Sequence, residues 1–226
     1  MDTYQQVGAQ LRAFLQGFMG GSVAGQSGVS GAVAPSDELQ ARSRRQNASL
    51  IPASRHYATV LAYGNFVLAD GTDLRCEAIQ GISGVISLPT VTTLATGSPQ
   101  VKLQRFLTHF YFEDPEVVIE QSPHKESFGY LTGASKGDAR ALLPGRATFS
   151  QFLILTLKGR PLANREPLVM TAQRVDEWPP IGSAFISEGP TDFYELEKLH
   201  DPGAKVVATL MKCDTRTVTE LHVPER

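Results

Sequence analysis

The chain has 226 residues, of which 42% are hydrophobic and 19% are charged, and its formal net charge is -2 at pH 7. That length allows one sizeable domain with extensions, and the hydrophobic fraction allows a core without disulfides or metal ions. The near-neutral charge excludes a general attraction to nucleic acid or to an anionic membrane, so any such contact must come from a local patch.

The amino-terminal segment predicts an amphipathic helix over residues 3–19. Apolar side chains recur at helical spacing, and glutamine and arginine fill the opposite face. Such a stripe needs a partner surface, either in the same domain or in a neighbouring subunit. The side chains that we expect to form this interface are Leu11, Phe14, Leu15 and Phe18.

Residues 20–35 predict a flexible linker rather than a phosphate-binding loop. Gly20 and Gly25 have the spacing of a nucleotide-binding loop, but Gln26 stands where that loop has its lysine. The loop also requires a strand before it, whereas a predicted helix precedes this segment. Segments rich in glycine and serine behave as flexible coils, so we expect a tether here.

A basic cluster on the predicted arm is a candidate for nucleic-acid contact. Arg42, Arg44 and Arg45 lie close together in a segment that otherwise predicts a solvated turn. Basic side chains neutralise phosphates, so an RNA- or DNA-binding module is one alternative for the function. Three arginines make a small footprint, and a surface turn is the simpler interpretation.

From Tyr57 onward the sequence predicts an antiparallel β domain. Runs rich in branched and aromatic residues, such as 101–112, alternate with turn formers. Residues 152–157 are apolar at nearly every position, which predicts a strand buried on both faces. We therefore divide the chain into a helix plus arm over 1–55 and a single β-rich domain over 56–226.

Four details refine this prediction. Residues 57–72 predict two strands broken at Gly64-Asn65, and residues 204–223 predict a closing hairpin. Residues 192–200 favour a helix with a capping box, and residues 72–89 carry a weaker helical stripe. The predicted fold class is mainly β, a sandwich or a barrel, with the N-terminal helix and one or two short peripheral helices.

No pattern in the sequence predicts a catalytic residue, a metal site or a cofactor. His109, Tyr111 and Glu113 alternate along one strand face and could build a metal site or an acid–base pair, although a core-edge role explains them as well. Cys76 and Cys213 are far apart, which indicates reduced thiols or a single bridge. No secretory signal or membrane-spanning run is apparent, so we expect a soluble protein, intracellular or part of a virion.

The order of amphipathic helix, Gly/Ser-rich tether, few arginines and many β segments resembles the layout of viral and phage coat or assembly proteins. In that class a mobile arm precedes a β-sandwich. The resemblance implies a non-enzymatic structural protein that self-associates through its arm. We therefore expect a homo-oligomer or other protein subunits as partners, and no membrane or evident small-molecule substrate.

Parts of the chain are similar to the cone-shaped NTF2-like superfamily. Residues 57–89 match its order of strand, turn, helix and Leu-Pro segment, and 147–157 followed by 167–175 match its closing hairpin. This resemblance implies an alternative, an α+β cone that binds or converts a small molecule. His109 or Glu113 would then lie in its pocket.

Overall fold

A computed structural model describes residues 55–134 and 142–221. The chain divides into two units, Met1–Leu39 and Gln40–Arg226, and every described residue belongs to the second unit. The predicted N-terminal helix with its interface residues, the tether and the arginine cluster lie outside the described residues. The two-part organisation therefore stays a prediction.

About two thirds of the described residues belong to antiparallel strands. The strands are β1 (Arg55–Leu68), β2 (Asp73–Thr93), β3 (Pro99–Phe112), β4 (Val117–Gln121), β5 (Ser127–Gly133), β6 (Gly145–Gln151), β7 (Leu153–Leu157), β8 (Arg160–Asn164), β9 (Leu168–Val175), β10 (Ala184–Ser187), β11 (Thr191–Glu195) and β12 (Ala208–Leu221). The prediction of a mainly β, barrel-like antiparallel fold is confirmed.

The strands close into an up-and-down barrel with eight positions around its wall. β1, β2, β3 and β12 are long and occupy one position each. Each of the other four positions holds two shorter strands in succession, β4 with β5, β6 with β7, β8 with β9, and β10 with β11. Because β1 pairs with both β2 and β12, the wall closes on itself.

The positions that hold two short strands are interrupted at one level of the wall. There, hydrogen bonds from side chains take the place of the backbone hydrogen bonds between strands. Ser127 Oγ accepts a hydrogen bond of 2.8 Å from the Phe152 amide. Asn164, 2% exposed, accepts from the amide of Leu153 at 2.7 Å and donates to the carbonyl of Gln151 at 2.9 Å. The backbone groups at the breaks are therefore satisfied, as burial requires.

Alternate residues of each strand face the interior. Along β6 and β7 this alternation continues across Phe152, and the inward set is Ala147, Phe149, Gln151, Leu153, Leu155 and Leu157. Ile154 on the outer face is also buried, because Leu196 and Leu199 pack against it. The prediction that 152–157 is buried on both faces holds on the outer face at Ile154, whereas Phe152 and Thr156 are half-buried there.

The predictions of a strand break at Gly64-Asn65 and of a hairpin over 204–223 are wrong. β1 runs through Gly64-Asn65 with a bulge before Phe66, and β12 is one strand where a hairpin was expected. Residue Thr215, at the expected turn, pairs with Ala62 of β1. Pairing with two neighbouring strands outweighs local turn propensity at both places.

The predictions of helices at 192–200 and at 72–89 are also wrong. Residues 192–200 form the end of β11 and a single 3-10 turn, Leu196–Lys198, because Phe193 is buried in the core. Residues 72–89 lie largely in β2, so the helix of an NTF2-like cone is absent from this segment. No helix in the described ranges is long and apolar enough to cross a bilayer.

Candidate functional site

Two narrow cavities lie inside the barrel. We call the first the apolar cavity; its volume is about 20 Å³, room for about one water molecule. Most of its lining is hydrophobic, including Phe66, Phe110, Phe112, Leu153, Met170 and Leu210. The second, which we call the polar-lined cavity, has a volume of about 30 Å³ and is lined by His56, Ser83, Phe149, Trp178, Phe185 and Thr217. Arg105 and Thr215 line both cavities, so they mark the boundary between them.

Arg105 places a guanidinium in this boundary. It continues the inward alternation of Val101 and Leu103 on β3. Its Nη1 donates to Oε1 of Gln151 at 3.2 Å, and the group lies 4.3 Å from the ring centroid of Phe149. Its Nε is enclosed and has no acceptor among the described residues.

The charge of Arg105 has no carboxylate partner among the described residues, whose ion pairs lie elsewhere. Burial lowers the pKa of Arg105 to about 10, so the group remains protonated at neutral pH. The residue is half-buried, because it also borders an outer cleft beside residues 121–127. The result is a cation inside the barrel with one neutral side-chain partner.

Gly129 leaves room for the aromatic ring that packs against the Arg105 guanidinium. Gly129 is the cross-strand partner of Phe149, and a Cβ there would lie 2.5 Å from the Phe149 ring. The missing side chain lets the ring lie against β5, where it offers a face to Arg105. A cation over an aromatic face gains about 0.5–2 kcal/mol, depending on its exposure to water.

The two cysteines are free and buried. Both are cross-strand partners of Gly64, Cys76 on one side and Cys213 on the other. Two strand spacings separate their backbones by about 9–10 Å, beyond the reach of a disulfide. Burial raises the pKa of the Cys76 thiol to about 11 and that of Cys213 to about 12, so both are neutral thiols at neutral pH.

The structure brings together only part of the group that was predicted around His109. His109 lies on the outer face of β3, because its neighbour Phe110 points into the barrel. His109 Nδ1 is 3.1 Å from Oε1 of Glu120, and its ring centroid is 4.2 Å from that of Tyr111. Glu113 instead follows the end of β3 and uses its amide to bond Glu77. Within the described ranges, no three His, Cys, Asp or Glu side chains are grouped to hold a metal ion.

Sequence reasoning missed Arg105 and Gln151. Both stand at inward positions of strands whose other inward residues are apolar, and that alternation was the available signal. The pairing of distant positions 105 and 151 depends on barrel closure, which no local pattern encodes.

Comparisons with known proteins bear on the fold alone. No family model matches the chain, and no curated protein matches it. A solved structure of DynF from the dynemicin biosynthesis pathway of Micromonospora chersina is similar, with a TM-score of 0.65 and 16% sequence identity. The likeness covers 90% of this chain and 94% of that one. At this identity the two chains share an architecture, and roles must be argued from the residues.

Proposed function

We propose that the barrel binds a thin, largely apolar small molecule with one anionic group, and that Arg105 receives the anion. The observation that carries this proposal is the unpaired charge inside the barrel. Nε of Arg105 is enclosed without an acceptor, and its side-chain hydrogen-bond partner in the described chain is the neutral amide of Gln151.

Electrostatics favours an anionic ligand at this point. A charge taken out of water costs several kcal/mol unless a counter-charge and hydrogen bonds compensate it. The amide of Gln151 and the face of Phe149 compensate only part of that cost for Arg105. A ligand carboxylate or phosphate that binds the Nε–H edge would supply the missing counter-charge, and hydrogen bonds between charged groups are about twice as strong as neutral ones.

The residues that line the apolar cavity indicate the chemistry of the rest of the ligand. The apolar cavity as it stands has a volume of about 20 Å³, which is room for about one water molecule, so a ligand chain enters only as the side chains of its walls move apart. Its narrow shape, with aromatic and aliphatic walls, suits a hydrocarbon chain or a flat ring. Arginine binds planar carboxylates and phosphates through parallel N–H donors, which would orient such a molecule from one end.

The side chains around the two cavities support ligand binding better than they support catalysis. No carboxylate belongs to the described lining of either cavity. The thiol of Cys213 in the apolar cavity is held neutral, because burial raises its pKa to about 12. The fold shared with DynF, a protein of a biosynthesis pathway, is compatible with carriage or sequestration of a small organic acid.

Titration calorimetry with a matched series of chains tests this proposal. We expect decanoate to bind at least about tenfold more tightly than decanol, since a charge-assisted hydrogen bond contributes about 1.5–3 kcal/mol. Decyltrimethylammonium should not bind. Arg105→Met should abolish the preference for decanoate, whereas Arg174→Met, an exposed arginine paired with Asp176, should keep it. Equal affinities for the acid and the alcohol would contradict the proposal.

Self-association is a second candidate, supported by an exposed apolar face. Leu61, Tyr63 and Ile186 are each more than a third exposed. They lie on β1 and β10, the strands on either side of β12, since Tyr63 and Ile186 both pair with Asp214 of β12. Such a patch suits the stripe predicted on the N-terminal helix of a second copy, in an intracellular or virion assembly.

Light scattering on the full chain tests self-association. Phe14→Asp should lower the particle mass, because it places a charge on the predicted stripe, and Gln16→Asp on the opposite face should leave it unchanged. The same mass for both variants and the wild-type chain would exclude an interface through the helix.

A further inference from the structure

The polar-lined cavity holds a second donor without an acceptor. Trp178 lies between β9 and β10, packs against the hydrophobic core, and its indole Nε1 is enclosed with no partner among the described residues. Its ring meets that of His56 edge to face, with centroids 6.0 Å apart. Buried indole N–H groups usually donate a hydrogen bond, so this one lacks an expected acceptor.

Both residues with an unpartnered donor line one cavity. Arg105 and Trp178, each with an enclosed donor that has no acceptor among the described residues, both belong to the lining of the polar-lined cavity, together with Ser83, Thr215 and Thr217. The apolar cavity beyond Arg105 has a mainly hydrophobic lining. The barrel interior is therefore asymmetric, with an apolar half and a half that offers hydrogen bonds.

We infer that Trp178 is a specificity-determining residue of the proposed binding site, and that its N–H selects acids that carry a second oxygen acceptor. The inference rests on the proposed function, because it takes the anion to lie at Arg105. The substrate class is then a hydroxy or keto acid with a thin apolar body. A site built to hydrogen-bond an oxygen discriminates against analogues that lack it, since the donor is otherwise left unpaired.

The indole N–H can be observed directly, because Trp178 is the sole tryptophan in the sequence. A proton–nitrogen correlation spectrum of the full chain therefore has a single indole cross-peak. The probes are decanoate, its α-hydroxy derivative and its β-hydroxy derivative. We expect at least one hydroxy acid to move this cross-peak downfield and to slow its exchange with water, and decanoate to do neither.

Calorimetry adds a quantitative test with a variant. The preferred hydroxy acid should bind the wild-type chain about 5–10-fold more tightly than decanoate, as one added hydrogen bond allows. In Trp178→Phe, which keeps an aromatic ring, this ratio should fall below about twofold on the same reasoning. Tyr130→Phe, an aromatic change on the outer face, should keep the ratio of the wild-type chain.

The outcomes separate this inference from the proposed function. If decanoate binds in an Arg105-dependent way but no hydroxy acid binds better or moves the indole resonance, the role of Trp178 is refuted and the anion site stands. If none of the three acids binds the wild-type chain, both are refuted. If the ratio survives in Trp178→Phe, another donor makes the selection and the inference fails.

Discussion

Oε1 of Gln151 accepts a hydrogen bond of 3.2 Å from Nη1 of Arg105, across the interior of the barrel. A neutral amide compensates a cation less well than a carboxylate does. This pair is thus a costly choice for an interior whose other residues are mostly apolar. We interpret the Arg105–Gln151 pair as part of the proposed binding site, present at some cost to the stability of the fold.

Removal of the whole pair should not harm the fold. We expect Arg105→Met/Gln151→Leu to be as stable as the wild-type chain or more stable by about 1–4 kcal/mol, as when buried ionic groups are replaced by apolar ones. Arg105→Met alone should be about 1–3 kcal/mol less stable than the double variant, because it leaves the amide unpaired. Urea unfolding measures both. A double variant well below the wild-type stability would show that the pair supports the structure.

Gly81 is required by the packing of Phe110. A Cβ at position 81 would lie 2.1 Å from the ring of Phe110, its cross-strand partner in the core. We expect Gly81→Ala to lower the free energy of unfolding by about 1–3 kcal/mol, the usual cost of overpacking. Gly189→Ala is the control, because nothing lies within 4 Å of a Cβ there. Equal stabilities of the two variants would contradict this account.

Asn164 holds the break between β8 and β9 through bonds to backbone groups on both sides. It bonds the amide of Leu153 and the carbonyls of Gln151 and Glu166. Asn164→Ala leaves these groups unpaired, so thermal and urea unfolding should show a loss of about 2–4 kcal/mol. Gln173→Ala on the exposed outer face should change stability by less than about 0.5 kcal/mol. A loss that small for Asn164→Ala would mean that water replaces the side chain.

The thiols should be protected in the folded chain. Burial raises the pKa of Cys76 to about 11 from a reference of 9.0, and that of Cys213 to about 12. A disulfide reagent at mildly alkaline pH should therefore label neither thiol until the chain unfolds, since the thiolate is the nucleophile. Rapid labelling of the native chain would contradict the burial of both side chains.

The same shifts predict a stability change with pH. Between the unfolded pKa of 9.0 and the folded values, the unfolded chain loses its thiol protons while the folded chain keeps them. The folded state then binds more protons, so this contribution to stability is complete below pH 9 and falls as the pH rises. Replacing both cysteines by alanine should flatten the decline in unfolding free energy over this range.

The sequence predicted the β character well and the interior poorly. The predictions of strands at 101–112 and 152–157 depended on local composition alone, and β3 and β7 lie there. The expected helix at 192–200 failed because its start is a wall strand with Phe193 in the core. The meeting of Arg105 with Gln151 depends on strand register across the barrel. Periodicity along one segment contains no information on that register.

The central claim is that a ligand anion lies against Arg105, and the ionisation of a bound acid tests it most directly. Decanoate labelled with an isotope at its carboxyl carbon can be titrated by NMR in complex with the full chain. A buried cation favours the carboxylate, so we expect the pKa of the bound acid to lie below that of the free acid. Burial in an apolar cavity away from Arg105 would instead raise that pKa above the free value, and this result would contradict the account.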